Sequence, residues 1–263
     1  MADDFAPGIV WLVGAGPGDP ELLTVKALRL IDQADIVFHD ALVAPAILDL
    51  IPPRTERVSV GKRAGRHSKD QRTINAMLVA AARAGLRVVR LKGGDPSLFG
   101  RSAEEMAALR EAGHQVYICP GVTAASAATA SAGLSLTLRG TARDVRFITA
   151  HSSNGAALDL DWDGLARAGT TLAFYMGRGA AETISRSLIK AGMDRAMPVI
   201  IACNDSLPTE RMFSTRLDLL GIATRSIASD EPTLILIGEG MKRPDFDGRT
   251  VNHCFPRQVV SAY

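Results

Sequence analysis

Little in this chain points to a metal, a membrane or a disulfide framework. Three cysteines occur in 263 residues, Cys119, Cys203 and Cys254. They are odd in number, scattered and without metal-ligand spacing, which suits a reducing cytoplasm. The histidines His39, His67, His114, His151 and His253 form no H-x-x-x-H pair, so no metal is expected. There is no run of about 18 apolar residues, so no membrane-spanning helix is expected. Met1-Ala2-Asp3-Asp4 lacks the basic-then-apolar secretory pattern. Aromatics make up 5% of residues, too few for the stacking faces that RNA recognition uses. The net charge of +2, 30 basic less 28 acidic, fits neither a nucleic-acid coat nor a membrane-surface protein.

What is present is ordinary soluble-protein composition, 47% hydrophobic and 22% charged, in a length that suits one large or two small domains. The richest stretch is Val88 to Gly100. Val88, Val89 and Leu91 read as a buried strand, and Gly93-Gly94 as a turn whose backbone a ligand can approach closely. Asp95-Pro96 has the form of a helix start, and Ser102-x-x-Glu105 reads as a capping box. Loops at the carboxyl ends of such strands are where open α/β sheets bind ligands.

A second glycine loop lies near the N-terminus. Ile9 to Val13 reads as a strand, followed by Gly14-Ala15-Gly16-Pro17-Gly18-Asp19-Pro20 and a helical pattern. In a dinucleotide fingerprint the third glycine would stand where Asp19 is, and an acid there would repel a pyrophosphate. This argues against a nicotinamide oxidoreductase. The loop lines a site without cradling phosphates, or is a purely structural turn. Ile36-Val37-Phe38 is the next strand, ending at His39-Asp40. Asp40 has three readings: a ribose-binding acid, a catalytic carboxylate or a solvated strand-end residue.

Residues 54–72 hold seven Lys/Arg and two Asp/Glu, a local charge of +5 (7 − 2). The segment Gly61-Lys62-Arg63-Ala64-Gly65-Arg66-His67-Ser68-Lys69 could dock a polyanion, or be solvated surface. Ser68-x-x-Gln71 reads as a capping box, with Ile74, Met77, Leu78 and Ala81 as the apolar stripe of its helix. Val116 to Ile118 is a fifth strand, and Pro120 to Ser126 opens a small-residue helix. Strands alternating with helices indicate a parallel α/β layer. The second half continues the theme, with strands near 145–149, 171–175, 199–202 and 233–237 and helices over 180–191 and 214–222. The boundaries expected are 8–135 for an N-terminal α/β domain, 136–240 for a C-terminal one, and 241–263 for a loosely held tail.

Taken in order, these motifs resemble one family, the S-adenosylmethionine-dependent uroporphyrinogen-III C-methyltransferases of the tetrapyrrole methylase fold. The carriers are Val13 to Pro20, Asp40 in His-Asp-Ala-Leu-Val, Gly61 to His67, Gln71 with Ile74-Asn75, Arg90 to Pro96, Phe99-Gly100-Arg101, Pro120 to Ser126, and Phe174 to Gly177. The chain departs from the family pattern at Ala41, Ser102-Ala103, Leu138 and Cys203-Asn204-Asp205.

The resemblance implies two α/β domains with the active site in the cleft between them, and a cytoplasmic homodimer. It implies that S-adenosylmethionine contacts Pro17, Gly93, Gly94, Asp95, Leu98, Thr123, Ala124 and Met176. Asp40 would accept a proton, and Lys62 would donate one or orient the substrate. Arg63, Arg66, His67 and Arg101 would hold substrate. The implied reaction methylates C2 and C7 of uroporphyrinogen III, through a monomethylated intermediate, to precorrin-2 for sirohaem or cobalamin. No nucleic acid, membrane or metal enters this reading. Alternatives are a related precorrin C-methyltransferase, an rRNA methyltransferase of the same fold, and a non-catalytic binding module.

Overall fold

The computed structural model describes residues 4–61, 70–150, 158–227 and 231–243, and the backbone of 253–255. The chain divides into two compact units, Met1–Ala124 and Ala125–Tyr263.

The first unit contains β1 (Val10–Gly14), α1 (Val25–Gln33), β2 (Ile36–His39), α2 (Pro45–Leu48), β3 (Glu56–Ser59), α3 (Gln71–Arg83), β4 (Val88–Lys92), α4 (Ser102–Glu111) and β5 (Val116–Cys119). The strands form one wholly parallel sheet in the order β3-β2-β4-β1-β5. β1 and β4 are buried along their whole length; β1 accordingly reads as a near-continuous apolar run rather than as alternation, whereas β4 also carries Arg90 and Lys92. Val10, Leu12, Phe38 and Val88 share one core with Ile74 and Leu78 of α3 and Leu109 of α4.

Side chains start the helices as the sequence suggests, but not always at the expected residue. Thr24 caps α1 by accepting from the Ala27 amide at 3.1 Å. Asp70 caps α3 by accepting from the Thr73 amide at 2.7 Å, so Gln71 is the first helical residue and not the far end of a capping box. Gln71 instead donates to Asn75 at 2.9 Å. Asp95-Pro96 starts no helix: α4 begins at Ser102. Nor is Ser102-x-x-Glu105 a capping box. The Ser102 hydroxyl bonds the Pro96 carbonyl at 2.5 Å, and Glu105 is drawn inward by two buried cations.

The second unit contains α5 (Ala124–Ala132), which begins at the boundary, then β6 (Asp144–Thr149), α6 (Trp162–Leu165), β7 (Thr170–Tyr175), α7 (Ala181–Lys190), β8 (Pro198–Cys203), β9 (Arg211–Arg216), α8 (Leu220–Ser226), β10 (Thr233–Ile237) and β11 (His253–Phe255). Its sheet runs β11-β9-β8-β10-β7-β6, and only β6 and β7 are parallel. The parallel theme therefore does not continue through the second half. Residues 214–216, read as the start of a helix, are strand; β9 joins β8 across the short loop 204–210, which needs no crossover helix. Within the C-terminal stretch, His253–Phe255 pairs with β9 as an edge strand. The core gathers Leu172, Phe174, Ile184, Leu188, Ile201 and Ile235.

Candidate active site

In a parallel sheet all loops leaving the strands' carboxyl ends lie on one edge. Here three of them, after the adjacent strands β4, β1 and β5, are tied together by backbone. Gly16 and Gly94 exchange hydrogen bonds, at 3.2 Å and 2.7 Å. The Ala15 amide donates to the Lys92 carbonyl at 2.7 Å. Gly14 and Gly121 touch so closely that a Cβ on Gly14 would lie 2.6 Å from the Gly121 Cα. A Cβ on Gly121 would lie 2.3 Å from the Gly94 carbonyl oxygen.

Asp95 completes the knot. One carboxylate oxygen accepts from the Gly121 amide at 2.9 Å, and the other from the Ser97 amide at 2.7 Å and the Ser97 hydroxyl. Gly94 has φ +67°, and among the described residues nothing lies within 4 Å of where its Cβ would be. Its open side is bare backbone facing free space. Pro17, Gly93, Leu98 and Thr123 sit on these same three loops, and Ala124 opens α5 where the third ends. Cys119, at the end of β5, lies 3.6 Å from the Thr24 hydroxyl, and burial pushes its thiol up.

Asp40 follows β2, the next strand along the edge. Its amide donates to the Leu91 carbonyl at 3.3 Å, and Nδ1 of the buried His39 donates to the Asp40 carbonyl at 3.1 Å. The Asp40 side chain is 30% exposed and bonds the Arg90 guanidinium, which is only 3% exposed. Arg90 also donates from Nε to Glu105 at 3.0 Å and from Nη1 to the Leu91 carbonyl at 3.2 Å. Glu105, fully buried, accepts from Lys92 Nζ at 2.8 Å on its second oxygen. Two cations and two carboxylates thus form one chain from the interior to the site edge. Burial, and then the neighbouring Arg90 charge, hold the Lys92 ammonium below the usual lysine range, against the pull of Glu105 and Asp40.

Arg90, Lys92 and Glu105 were not among the site residues expected from sequence. A signal was present: residues two apart in a strand share a face, so Arg90 and Lys92 had to point the same way as buried Val88.

Gly61 marks where the basic segment leaves the sheet. A Cβ there would lie 2.0 Å from the Ala41 amide nitrogen, so the chain enters that segment beside Asp40. Lys62, Arg63, Arg66 and His67 lie outside the described residues. Arg101 is exposed, has φ 55° and is held by Glu104 at 2.7 Å. In the second unit Met176 follows β7, 51% exposed, also at a positive φ of 56°. Among the described residues no group of three or more His, Cys, Asp or Glu could hold a metal, and no helix is long and apolar enough to cross a membrane.

A parallel sheet whose strand-end loops present bare glycine backbone beside a carboxylate has the form of the α/β class, in which ligands bind outside the strands' carboxyl ends. The chain belongs to the tetrapyrrole (corrin/porphyrin) methylases, whose family model matches residues 10–220. It is 46% identical over 231 residues to a uroporphyrinogen-III C-methyltransferase of Paracoccus denitrificans, covering 88% of this chain and 80% of that protein. It is 45% identical over 232 residues to a sirohaem synthase of Gluconacetobacter diazotrophicus, covering 88% of this chain but only 49% of that one. The chain therefore spans about half the length of the sirohaem synthases it matches. Among solved structures, the uroporphyrin-III C-methyltransferase of Thermus thermophilus complexed with S-adenosylhomocysteine has a TM-score of 0.74 at 40% identity, covering 88% of this chain and 97% of that one. A cobalt precorrin-4 methyltransferase has a TM-score of 0.80 at 28% identity, covering 90% and 97%.

Proposed function

We propose that the chain transfers methyl groups from S-adenosylmethionine to C2 and C7 of uroporphyrinogen III, giving precorrin-2. What supports this reading over another tetrapyrrole is identity: 46% and 40% to uroporphyrinogen-type relatives against 28% to the cobalt precorrin-4 enzyme. The observation in the fold that carries it is the knotted glycine edge beside Asp40. Backbone at Gly94 with open space in front of it fits a cofactor that must lie against main chain. Pro17, Gly93, Gly94, Asp95, Leu98, Thr123 and Ala124 would hold it. When bound, S-adenosylmethionine supplies a methyl group made electrophilic by its sulfonium, so no metal is needed.

The chain's own part is positioning and proton transfer. The pyrrole carbons of the substrate are electron-rich, and holding one in line with the methyl is the main catalytic task. Arg63, Arg66, His67 and Arg101 would grip the substrate's carboxylates. Asp40, partly exposed and fixed from behind by Arg90, would accept the proton released by the alkylated macrocycle. Lys62 would donate a proton or orient the ring. A cytoplasmic homodimer is part of the same proposal. The family resemblance carries the dimer; the scattered cysteines and the absence of a spanning helix among the described residues suit the cytoplasm.

Purified protein incubated with labelled S-adenosylmethionine and uroporphyrinogen III should yield a product carrying two added methyl groups, each in place of a proton and so heavier by CH2 per transfer. A chain that leaves uroporphyrinogen III unmodified but methylates a precorrin would overturn the substrate assignment, and static light scattering at the monomer mass would overturn the dimer.

A further inference from the structure

We infer that Glu105 is a positioning residue for this reaction: buried at the start of α4, it locks the Arg90 guanidinium so that Arg90 holds the Asp40 carboxylate in its proton-accepting orientation. The inference rests on the proposed role of Asp40 and adds to it a residue that never meets the substrate.

The geometry gives Glu105 this leverage. A guanidinium is planar, so fixing Nε fixes the direction of Nη2. Glu105 takes Nε at 3.0 Å, and the Leu91 carbonyl takes Nη1 at 3.2 Å. Only Nη2 is left to reach out, and it reaches Asp40. Glu105 itself cannot swivel, because Lys92 holds its other oxygen at 2.8 Å. The four groups sum to zero charge. Seen from Asp40 the other three sum to +1 (2 − 1), so it faces a net positive charge, and what Glu105 contributes is the aim of Arg90.

A second observation shows the cluster being braced from the other side. Phe99 and Arg101 both adopt positive φ, 53° and 55°, a strained conformation for residues other than glycine. Between them Gly100 packs so tightly that a Cβ would lie 2.8 Å from the Pro96 carbonyl oxygen and 3.0 Å from Lys92 Cε. The strained turn is seated on the Lys92 stem and leads directly into the helix that carries Glu105. Strain of this kind persists only where the surroundings over-determine it, and here it fixes where α4 begins.

The test is a double-mutant cycle on the full-length protein. Glu105→Gln keeps the shape but removes the charge that holds both cations. It should lower kcat by about ten- to a hundredfold, the scale of a misaligned catalytic group, with S-adenosylhomocysteine affinity unchanged within about twofold. Arg90→Lys, which keeps the charge but loses the rigid fork, should lower kcat similarly. In an Asp40→Asn background the further change Glu105→Gln should have no added effect on kcat, because the two act as one unit. Normal kcat in Glu105→Gln, or losses that multiply in the double variant, would overturn the inference and leave Glu105 a structural ion pair. Normal kcat in Asp40→Asn would remove the proton-acceptor role itself, a different failure with a different signature. If Glu105→Gln does not fold by circular dichroism, Glu105→Gln with Lys92→Met removes one charge of each sign and carries the same comparison.

Discussion

Two glycines on the site edge should fail in opposite ways when given a methyl group. At Gly121 an alanine finds no positive φ to oppose it, but it has no room: its Cβ would fall 2.3 Å from the Gly94 carbonyl oxygen and 2.8 Å from the Gly14 Cα. Ordinary contact begins at 3.4 Å, so backbone must move by roughly 1 Å (3.4 − 2.3), and the obstructing atoms are main chain that cannot rotate aside. Overpacking of this kind costs about 1–3 kcal/mol. Withdrawing the loop also strains the hydrogen bond that the Gly121 amide donates to the Asp95 carboxylate, a charge-assisted contact of about 1.5–3 kcal/mol. A total of about 2.5–6 kcal/mol lowers Tm by roughly 5–24 °C.

At Gly94 the reverse holds. The methyl points into open space, and only the φ of +67° opposes it. The left-handed penalty of about 1–2 kcal/mol is partly offset by about 0.4–1 kcal/mol from a stiffer unfolded chain. Gly94→Ala should therefore cost about 1 kcal/mol and roughly 2–4 °C, yet its methyl occupies the space proposed for the cofactor. Differential scanning calorimetry and titration with S-adenosylhomocysteine separate the two. Gly121→Ala should be the unstable variant, and Gly94→Ala the well-folded variant with at least about tenfold weaker binding. If Gly94→Ala binds S-adenosylhomocysteine as the wild type does, the open space belongs to something else. If Gly121→Ala melts with Gly94→Ala, the glycine knot is looser than its distances imply.

Three further outcomes are expected. Asp40→Asn should lower kcat by about 10²–10⁴-fold, the usual size of a lost general base, with cofactor affinity unchanged by calorimetry; normal turnover makes Asp40 a bystander. Arg63→Ala and Arg66→Ala should each raise the KM for uroporphyrinogen III by about ten- to a hundredfold, from about 1.5–3 kcal/mol per charged contact. The effect should shrink with added salt, and kinetics indifferent to both variants would return the basic segment to plain surface. Asp35 is held below its ordinary value of 3.8 chiefly by its hydrogen bonds to Arg87. A depressed carboxylate stabilises above its unfolded pKa and loses that contribution as pH falls through the folded one. Asp35→Asn should thus cost up to about 1 kcal/mol at pH 7, solvent screening keeping it small. The gap to wild type, followed by urea unfolding, should close well below pH 3.8; a pH-independent gap would show that charge is not its source.

Most of the first sheet was legible because its strands carry their signal locally. Ile9 to Val13 and Ile36 to Phe38 are short apolar runs ending in glycine or polar turns, and burial on both faces makes them conspicuous. What escaped was set by distant partners. Asp95-Pro96 looks like a helix start, yet its carboxylate is claimed by Gly121, 26 positions on, and the helix waits until Ser102. Glu105 looked like a cap because capping is a local habit of sequence; Arg90 and Lys92 override it from a neighbouring strand. Arg211–Arg216 carries two arginines and alternates only weakly, so its place beside β8 could not be read without the sheet. For the basic segment, only its point of departure, Gly61 against Ala41, is described.

The strand order also bears on how the chain comes to be folded. β1 is made first, yet both its partners, β4 and β5, come late; β2, the strand made next, does not touch it. The ribosome must add the 78 residues from Gly14 to Lys92 (92 − 14) before β4 is complete, about 4–16 s at ordinary translation rates. Throughout that interval Val10-Trp11-Leu12-Val13 has no ladder to join, and long-range parallel pairing is slow even once its partner exists. A strand that ends paired on both sides within the sheet thus spends its first seconds as an unpaired apolar segment, the kind that associates between chains. Yield of folded protein should accordingly depend on how fast residues 15–92 are translated and on what shelters β1 meanwhile.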